Sequence, residues 1–265
     1  MAITSYINGA GGSTGADLAI LDRVSVSGLI YYVGNAVSGA SDSSTGLERG
    51  KPLLTTAQAY SNASAGDTIV YLSGHSESIG SAVTLGKIGL SLVGEGTGSS
   101  VPRLTCTGTI AMLDITAAGV LLDNIYFPVS TAAATARVRV GAAGVIMNAL
   151  QFDCGASDTN RALSFVTGAS YARLTNSRFT ATAATPAVGV EVINALAGLT
   201  MDAVTFDGGS FEWSGKAFTG TAAVTVLRAT RMYQLNGSDA ILATGSTGLW
   251  QTEISTGNSR TTWTV

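Results

Sequence analysis

Apolar and polar positions along this chain repeat in a unit of about two dozen residues. The unit reads GVLLDNIYF at residues 119–127, and related segments occupy residues 144–152, 171–179, 198–206 and, in a weaker form, 224–232. Their last residues are 25, 27, 27 and 26 positions apart. A repeat of this length is typical of a solenoid, in which each repeat forms one coil and only stacked coils bury a continuous core.

Three apolar positions of the unit are predicted to face the core. In the first copy these are Leu122, Ile125 and Phe127, which can all point inward if the chain bends at Asn124. Asparagine tolerates the left-handed backbone that such a bend needs. Asp123, between two of the core positions, is expected to face outward. The equivalent bends are predicted at Ala149, Asn176, Ala203 and Ala229.

Equivalent residues of successive coils are predicted to stack at the inter-strand distance of roughly 4.8 Å. Phe127, Phe152, Phe179 and Phe206 then form a ladder inside the core, with Met232 as its next member and Leu227 beneath Met201. About seven coils at this spacing give a rod of roughly 35 Å.

The part of the chain before the clear repeats predicts strands joined by turns and one helix. The helix is expected over residues 52–63, where apolar residues have helical spacing and Pro52 takes a first-turn position. Residues 34–50 are a polar loop. Residues 1–28 do not fit the repeat and are either a frayed tail or an arm that docks on a partner. The predicted strands cover residues 29–33, 68–72, 83–85 and 89–93.

The amino-acid composition limits the kinds of molecule that this protein is expected to bind. Apolar residues make up 46% and charged residues 12% of the chain, and the 33 glycines suit stacked strands and turns rather than long helices. The chain has no uninterrupted apolar run long enough for a membrane span. A net charge of −3 without a basic cluster argues against nucleic acid as a partner.

No secretory signal opens the chain, so we expect a cytoplasmic protein or one built into a particle there. Cys106 and Cys154 are expected to be reduced, buried thiols.

Two carboxylates follow the phenylalanine ladder and form the best candidate for carbohydrate cleavage. Asp153 and Asp207 are two coils apart, or roughly 10 Å, near the upper end of the separation that an inverting glycosidase uses. Glu212 is close in sequence, and Trp213 could stack on a sugar. Polar residues just past a strand also commonly cap a turn, and we favour that interpretation.

Other candidates for chemistry are weaker still. The lone histidine, His75, follows a glycine in a turn, and Glu77 is its only near carboxylate. No Cys or His spacing fits zinc, so neither a metal nor another cofactor is expected.

The order of motifs in the first hundred residues resembles a known family. YYVGN at residues 31–35, SDSSTGL at 41–47, the short helix, GDTIVYLSGH at 66–75 and LSLVGEG at 90–96 are similar to the opening of pectate-lyase-like right-handed parallel β-helices. In that family the short helix covers the N-terminal end of the core. The resemblance implies an all-β, single-domain right-handed parallel β-helix of about seven coils over residues 29–265, with residues 52–63 as the capping helix and residues 1–28 as an arm.

The catalytic residues of the family do not carry over. The N-T-D, D-D, H-G and R-I-K set of polygalacturonase-like members is absent from the sequence. Pectate lyases use clustered carboxylates for calcium, whereas Asp123 beside Asn124 is the only adjacent acid–amide pair in the coils.

This form of the fold is most similar to members encoded by tailed bacteriophages, which serve as tailspikes, fibres or capsid decorations. The resemblance implies a non-enzymatic virion structural protein, made in the host cytoplasm. It implies a homotrimer that docks on capsid or tail proteins through residues 1–28. Residues 138–140, 181–187 and 219–226 are the candidate contact surfaces between subunits. The alternative is a tailspike-like module that binds or cleaves a host surface polysaccharide.

Overall fold

The structure is a computed structural model that describes part of the chain. Outside β-strands it gives no description beyond residue 208. The described ranges are residues 28–129, 135–155, 161–183, 188–208, 218–220, 227–230, 232–235, 241–243, 254–256 and 259–260. The predicted arm therefore lies outside the described residues except for Gly28, as do Glu212 and Trp213.

Strands make up nearly all of the regular structure in these ranges. A helix, α1, spans Thr56–Asn62, and a 3₁₀ turn spans Gly98–Ser100. The strands, in chain order, are β1 Ile30–Val33, β2 Thr68–Tyr71, β3 Ser76–Ile79, β4 Val83–Leu85, β5 Ser91–Gly94, β6 Arg103–Cys106, β7 Ala111–Ile115, β8 Leu121–Asp123, β9 Tyr126–Phe127, β10 Ala136–Val140, β11 Ile146–Asn148, β12 Gln151–Cys154, β13 Arg161–Phe165, β14 Ala172–Thr175, β15 Arg178–Ala181, β16 Val188–Val192, β17 Leu199–Asp202, β18 Thr205–Asp207, β19 Phe218–Gly220, β20 Leu227–Thr230, β21 Met232–Leu235, β22 Ile241–Ala243, β23 Ile254–Thr256 and β24 Ser259–Arg260.

The strands form three sheets, and each circuit of the chain adds one strand to each of them. Sheet A has the order β1-β2-β5-β8-β11-β14-β17-β20, sheet B the order β3-β6-β9-β12-β15-β18-β21-β23-β24, and sheet C the order β4-β7-β10-β13-β16-β19-β22. The pairings between successive coils are parallel, whereas the terminal pair β23–β24 is antiparallel. The molecule is a single-domain parallel β-helix, which confirms the predicted all-β fold.

The predicted phenylalanine ladder forms the centre of the core. Phe127, Phe152, Phe179 and Phe206 are all buried, and their ring centroids are 4.7, 4.8 and 5.2 Å apart in succession. Adjacent rings lie within 21° of parallel. Leu122 and Ile125 are fully buried beside the ladder, as the alternation of the repeat predicted.

The predicted bends between sheets A and B adopt the left-handed backbone. Asn124, Ala149, Asn176 and Ala203 have φ angles of 54°, 51°, 50° and 53°. Asn124 also fixes its coil to the preceding one, because its side-chain Nδ2 donates to the carbonyl oxygens of Gly94, at 2.8 Å, and Gly96, at 3.0 Å.

The fifth copy of the repeat is two positions out of the predicted register. Leu227 pairs with Leu199 rather than Met201, and Met201 pairs with Ala229, which lies inside β20 instead of forming a bend. Met232 likewise does not continue the ladder, because Phe206 pairs with Gln234. A shift by two residues leaves every side chain on its own face of the sheet, so alternation alone does not distinguish the two registers.

Helix α1 is shorter than the predicted helix and begins four residues later. Leu53, predicted to be helical, forms a parallel bridge with Val33 and is fully buried. Thr55 has an extended backbone, and its Oγ1 caps the helix by accepting the backbone N–H of Gln58 at 3.2 Å. Pro52 was predicted to lie in the first turn of the helix, but the capping hydroxyl of Thr55 determines where the helix begins.

Helix α1 covers the N-terminal end of the core. It packs against β1 and β4, the first strands of sheets A and C. The carboxylate of Glu77, in the first strand of sheet B, accepts the backbone N–H of Thr56. Ala59 of the helix is fully buried. Among the described residues, the helix therefore occupies the first coil at the position where sheets B and C have no strand.

The loop over residues 34–50 covers a second, smaller apolar cluster on the outer face of sheet A. Val70, Leu72 and Val93 form this cluster, and Tyr32 and Val37 pack against it. The outward apolar side chains of the first coils are therefore shielded from water.

The ladder predicts a large effect of charge at its centre. Replacing Phe152 by Asp places an unpaired carboxylate between two stacked rings, and we expect the β-helix to unfold. The milder Phe152→Ala change is expected to cost about 3–5 kcal/mol of the free energy of unfolding. Denaturant titration followed by circular dichroism measures both.

The matched control is Gln151→Asp, which introduces the same carboxylate at the neighbouring, outward position of β12. It is expected to change stability by no more than about 0.5 kcal/mol. Retained strand content in Phe152→Asp would contradict the ladder as the centre of the core.

Candidate functional site

The outer face of sheet B carries the candidate carboxylates. Side chains alternate along its strands, so the residues next to the buried phenylalanines point outward. We call these two outward rows the sheet B face. The first row contains, in register, Arg103, Tyr126, Gln151, Arg178 and Thr205, and the second contains Asp153, Thr180 and Asp207.

Asp153 is bonded within the sheet B face. Its Oδ2 accepts the phenolic O–H of Tyr126, and the guanidinium of Arg103 lies 5.3 Å from the centre of the Tyr126 ring. Burial, together with the hydrogen bond to Asp153, raises the pKa of Tyr126 to about 12. Tyr126 therefore stays protonated and donates to Asp153 at neutral pH.

Asp207 is bonded in a different way. It is largely buried, and its Oδ2 accepts Nη2 of Arg178 from the preceding coil. Asp153, Thr180 and Asp207 stand in one register, so the two carboxylates are two coils apart, as predicted. The third candidate, Glu212, lies outside the described residues. Both described carboxylates hold a donor from the neighbouring coil. This suits a fixed surface better than catalysis, in which one carboxyl group must protonate the leaving group and the other must activate a water.

Asp123 is not the exposed group that the sequence predicted. Only 2% of its surface is accessible, and its Oδ1 accepts Nδ2 of Asn148 at 2.7 Å. Oδ1 of Asn148 in turn accepts the hydroxyl of Thr175, at 2.9 Å, and Nδ2 of Asn176, at 2.8 Å. These side chains form a polar ladder that joins three coils, so Asp123 has a structural role.

His75 and Glu77 are close together, but not in an accessible site. The imidazole is fully buried, stacks on Tyr71 at 5.4 Å and has Nε2 3.3 Å from Oε2 of Glu77. Its Nδ1 accepts the backbone N–H of Asn35 at 3.3 Å, so the ring proton belongs on Nε2, facing Glu77. The pair connects β3 with the loop over residues 34–50.

One buried arrangement was not predicted from the sequence. Arg137 is 1% exposed, and its Nη1 donates to the backbone carbonyls of Phe127 at 3.1 Å, Pro128 at 3.0 Å and Asp153. Its guanidinium lies 5.6 Å from the ring of Phe152. In β10, which reads ARVRV, Val138 and Val140 are buried in the core and Arg139 is partly exposed. Nothing in this alternation distinguishes Arg139 from Arg137, which closes the corner between sheets B and C.

Other expectations from the sequence concern cysteines, metals and membranes. Cys106 and Cys154 are buried and form no disulfide, as predicted. In the part of the chain that the structure describes, no three His, Cys, Asp or Glu side chains lie close enough together to hold a metal ion. Within the same residues, no helix has the length and apolarity needed to cross a membrane.

Comparison with known proteins gives little beyond the fold. No protein-family model matches the chain, and no curated protein matches it. Among solved structures, the chain is similar to one described as the crystal structure of pectate lyase Pel9A, with a TM-score of 0.47 and 12% sequence identity. The match covers 89% of this chain and 79% of that one. At this identity the likeness says nothing about chemistry.

The raised pKa of Tyr126 predicts a loss of stability in alkali. The phenol titrates at about 12 in the folded chain and near 10 when unfolded, so the folded state binds the proton more tightly between these values. We expect the free energy of unfolding to fall as the pH rises from 10 to 12, and to fall less in Tyr126→Phe. Denaturant midpoints across this pH range measure the difference.

Tyr31 and Tyr71 also have a raised pKa because of burial, so some slope remains in Tyr126→Phe. The phenolate absorbance of the two proteins isolates the step that belongs to Tyr126. Identical alkaline stability profiles would contradict a raised pKa of Tyr126.

Proposed function

We propose that this protein is a non-enzymatic structural component of a virion, such as a capsid decoration, fibre or spike part, and that it assembles as a homotrimer. The observation that carries this proposal is an exposed apolar ridge along the corner between sheets C and A. Ile88 is 66% and Tyr171 68% exposed on this ridge, and Ile193 is also exposed. Ile146, the first residue of β11, follows the turn over residues 141–145 and is also exposed.

The ridge consists of the turns between sheets C and A, residues 86–90, 116–120, 141–145, 166–171 and 193–198. The last four of these segments contain no charged residue. Small residues dominate them, and Gly119 and Gly144 have φ angles of 69° and 66°. Large apolar side chains exposed along one edge of the molecule can form an interaction site, and turns without charge can meet their own copies without repulsion.

Tyr171 supports a role for the ridge in contact with another molecule. Its φ angle is 59°. The equivalent positions in the preceding and following coils are occupied by Gly144 and Gly198. A left-handed backbone costs an ordinary residue roughly 1–2 kcal/mol, and Tyr171 makes up little of this by burial, since it is mostly exposed. A bulky aromatic side chain at a strained, exposed position is a reasonable candidate for a functional contact.

Two further observations bear on the proposal. The carboxylates of Asp153 and Asp207 are both bonded within the sheet B face, which favours a structural role over cleavage. Of the candidate contact surfaces, residues 138–140 are wrong, because Val138 and Val140 are fully buried in the core. The other two, residues 181–187 and 219–226, lie largely outside the described residues. The virion location and the docking of residues 1–28 on capsid or tail proteins rest on the sequence resemblance.

Light scattering coupled to size-exclusion chromatography tests the assembly. We expect three copies of the 26.7 kDa chain for the natural sequence and a monomer for Tyr171→Gly. This variant is expected to be as stable as the natural chain or more stable by up to about 1 kcal/mol, since glycine relieves the left-handed strain. Loss of assembly without loss of stability separates a contact residue from a structural one.

Leu47→Ala is the matched control, because Leu47 is exposed in the loop over residues 34–50, away from the ridge. It is expected to remain trimeric. A natural chain that is a monodisperse monomer and cleaves a polysaccharide would reverse the proposal.

Recognition of a host surface polysaccharide is the second candidate, and the first row of the sheet B face favours it. Arg103 and Gln151 are exposed hydrogen-bond donors, and Tyr126 lies half-buried between them. Arg178 is also exposed, but it already donates to Asp207. An ordered row of donors beside an aromatic ring suits a chain of hydroxyl groups.

Binding to a panel of bacterial surface polysaccharides tests this candidate. If it holds, Arg103→Ala combined with Gln151→Ala lowers the affinity at least tenfold, by about 1.4 kcal/mol or more. Arg139→Ala, on the outer face of sheet C, leaves the affinity unchanged. Absence of binding to any member of the panel, or equal affinity in all variants, argues against it.

A further inference from the structure

The outer face of sheet A carries a column of side chains next to the ridge. Each successive strand contributes one outward residue to it, in register. We call this set the sheet A column: Ile30, Thr68, Ser91, Leu121, Ile146 and Arg173. Leu121 is half-buried against the apolar cluster that the loop over residues 34–50 covers, whereas Ile146 is 39% exposed. The apolar part of the column therefore extends past the loop.

One member of the column has a buried polar group without a partner. Thr68 is 1% exposed, and its Oγ1 makes no hydrogen bond within the residues that the structure describes. Buried hydroxyl groups are normally hydrogen-bonded. Because Thr68 lies on the outer side of sheet A, the missing partner has to come from outside the β-helix.

The first charged residue of the column is Arg173. Its side chain is exposed, and its guanidinium makes no ion pair or hydrogen bond among the described residues. Arginines on the other two faces differ, since Arg139 binds Asp114 and Arg178 binds Asp207. Arg173 is therefore available to an anionic group from another segment or molecule.

The part of the chain before Gly28 starts at the head of this column. The backbone N–H of Leu29 donates to Oδ1 of Asp67, directly before β2, at 2.7 Å. Gly28 packs against the same place so closely that a Cβ atom on it would lie 2.1 Å from Oδ1 of Asp67. The chain that precedes Gly28 therefore begins beside Ile30, the first residue of the column.

Residues 17–27, which read DLAILDRVSVS, have a pattern that suits the column. In an extended chain the even-numbered side chains of this segment share one face. Four of these five are apolar: Leu18, Ile20, Val24 and Val26. The fifth is Asp22, so the face has one carboxylate within an apolar row.

The spacings bring side chains of matching character together. An extended chain advances about 6.6 Å for every two residues, so Val24 is roughly 13 Å and Asp22 roughly 20 Å from Gly28. Along the column, strand spacing puts Leu121 roughly 14 Å and Arg173 roughly 24 Å from Ile30. The apolar Val24 thus reaches Leu121, and the carboxylate of Asp22 comes within a side-chain length of Arg173.

We propose that residues 17–27 lie in extended form across the sheet A column of their own chain, with Val24 on Leu121 and Asp22 paired with Arg173. The segment crosses the strands, so its backbone supplies polar groups to the outward face at Thr68. Ile88, Tyr171 and Ile193 of the ridge stay exposed to a second copy. A capsid or tail protein that binds residues 1–28, as proposed above, competes with the column for this segment.

A disulfide trap in the full-length chain tests the position of the segment. Val24→Cys with Leu121→Cys is expected to form an intrachain disulfide under mild oxidation with copper phenanthroline, because contact brings the two Cα atoms within the range that a disulfide spans. Non-reducing electrophoresis at the mass of one 26.7 kDa chain and mass spectrometry of the linked peptides detect it. Cys106 and Cys154 are buried and do not compete.

Val24→Cys with Gln151→Cys is the matched control, because Gln151 is exposed on the sheet B face. We expect it to give at least tenfold less intrachain disulfide. Equal yields from the two pairs, or no intrachain product from either, would overturn the proposal. A link from residue 24 of one chain to residue 121 of another would also overturn it, and would assign the column to the segment of a second copy.

The charge pair is tested in the same cysteine background. Asp22→Arg places two cations together and is expected to slow disulfide formation about fivefold. Adding Arg173→Asp restores opposite charges and is expected to restore the rate. Asp17→Arg, which introduces the same charge on the opposite face of the extended segment, is expected to leave the rate unchanged. Equal slowing by Asp22→Arg with and without Arg173→Asp would contradict the pairing.

The inference does not rest on the trimer or on a virion role. In a Tyr171→Gly background, which is expected to be monomeric, the intrachain disulfide is expected to form at the same rate. A trimer that lacks the disulfide contradicts only the placement of the segment, and a disulfide in a natural chain that is monomeric contradicts only assembly through the ridge. A yield that falls with Tyr171→Gly would show that the contact needs a second copy, and would overturn the placement within one chain.

Discussion

Stacking of one coil on the next at the inter-strand distance is the constraint on which the whole molecule depends. The ring spacings of 4.7 to 5.2 Å in the phenylalanine ladder match the distance between hydrogen-bonded strands. The same side chain must therefore return at the same position in every coil. The left-handed bends follow from this requirement, because Asn124 and its equivalents keep both flanking strands directed at one core.

The same stacking determines which side chains bond to one another on the outer faces. A charged side chain on one coil faces its counterpart on the next, and several of them pair there. Arg139 bonds to Asp114, Arg161 to Glu191 and Arg178 to Asp207, in each case between neighbouring strands of one sheet. The polar groups of the flat faces are thus largely engaged within the molecule. Ile88, Tyr171 and Ile193 are exposed on the ridge between sheets C and A, which is why we propose that assembly uses the ridge.

The structure was predictable from the sequence where the repeat is regular. It was not predictable where a single local contact sets the start or the register of an element. The four phenylalanines and four bends were predictable because each recurs at a fixed place in the unit. The start of α1 depends on one hydroxyl, that of Thr55, and the register of β20 depends on a choice that alternation leaves open. Burial of Arg137 follows from carbonyl groups at a corner, which no residue pattern along β10 records.

The central claim is that copies of this chain meet along the ridge, and a site-specific cross-link tests it most directly. A photo-reactive residue at Ala143, a small residue of the ridge, is compared with one at Gln151 on the sheet B face. Intermolecular cross-links from position 143 are expected to end on ridge residues of another copy, with few cross-links from position 151. Cross-links from position 151 alone, or none from either in a protein that binds polysaccharide, would contradict it.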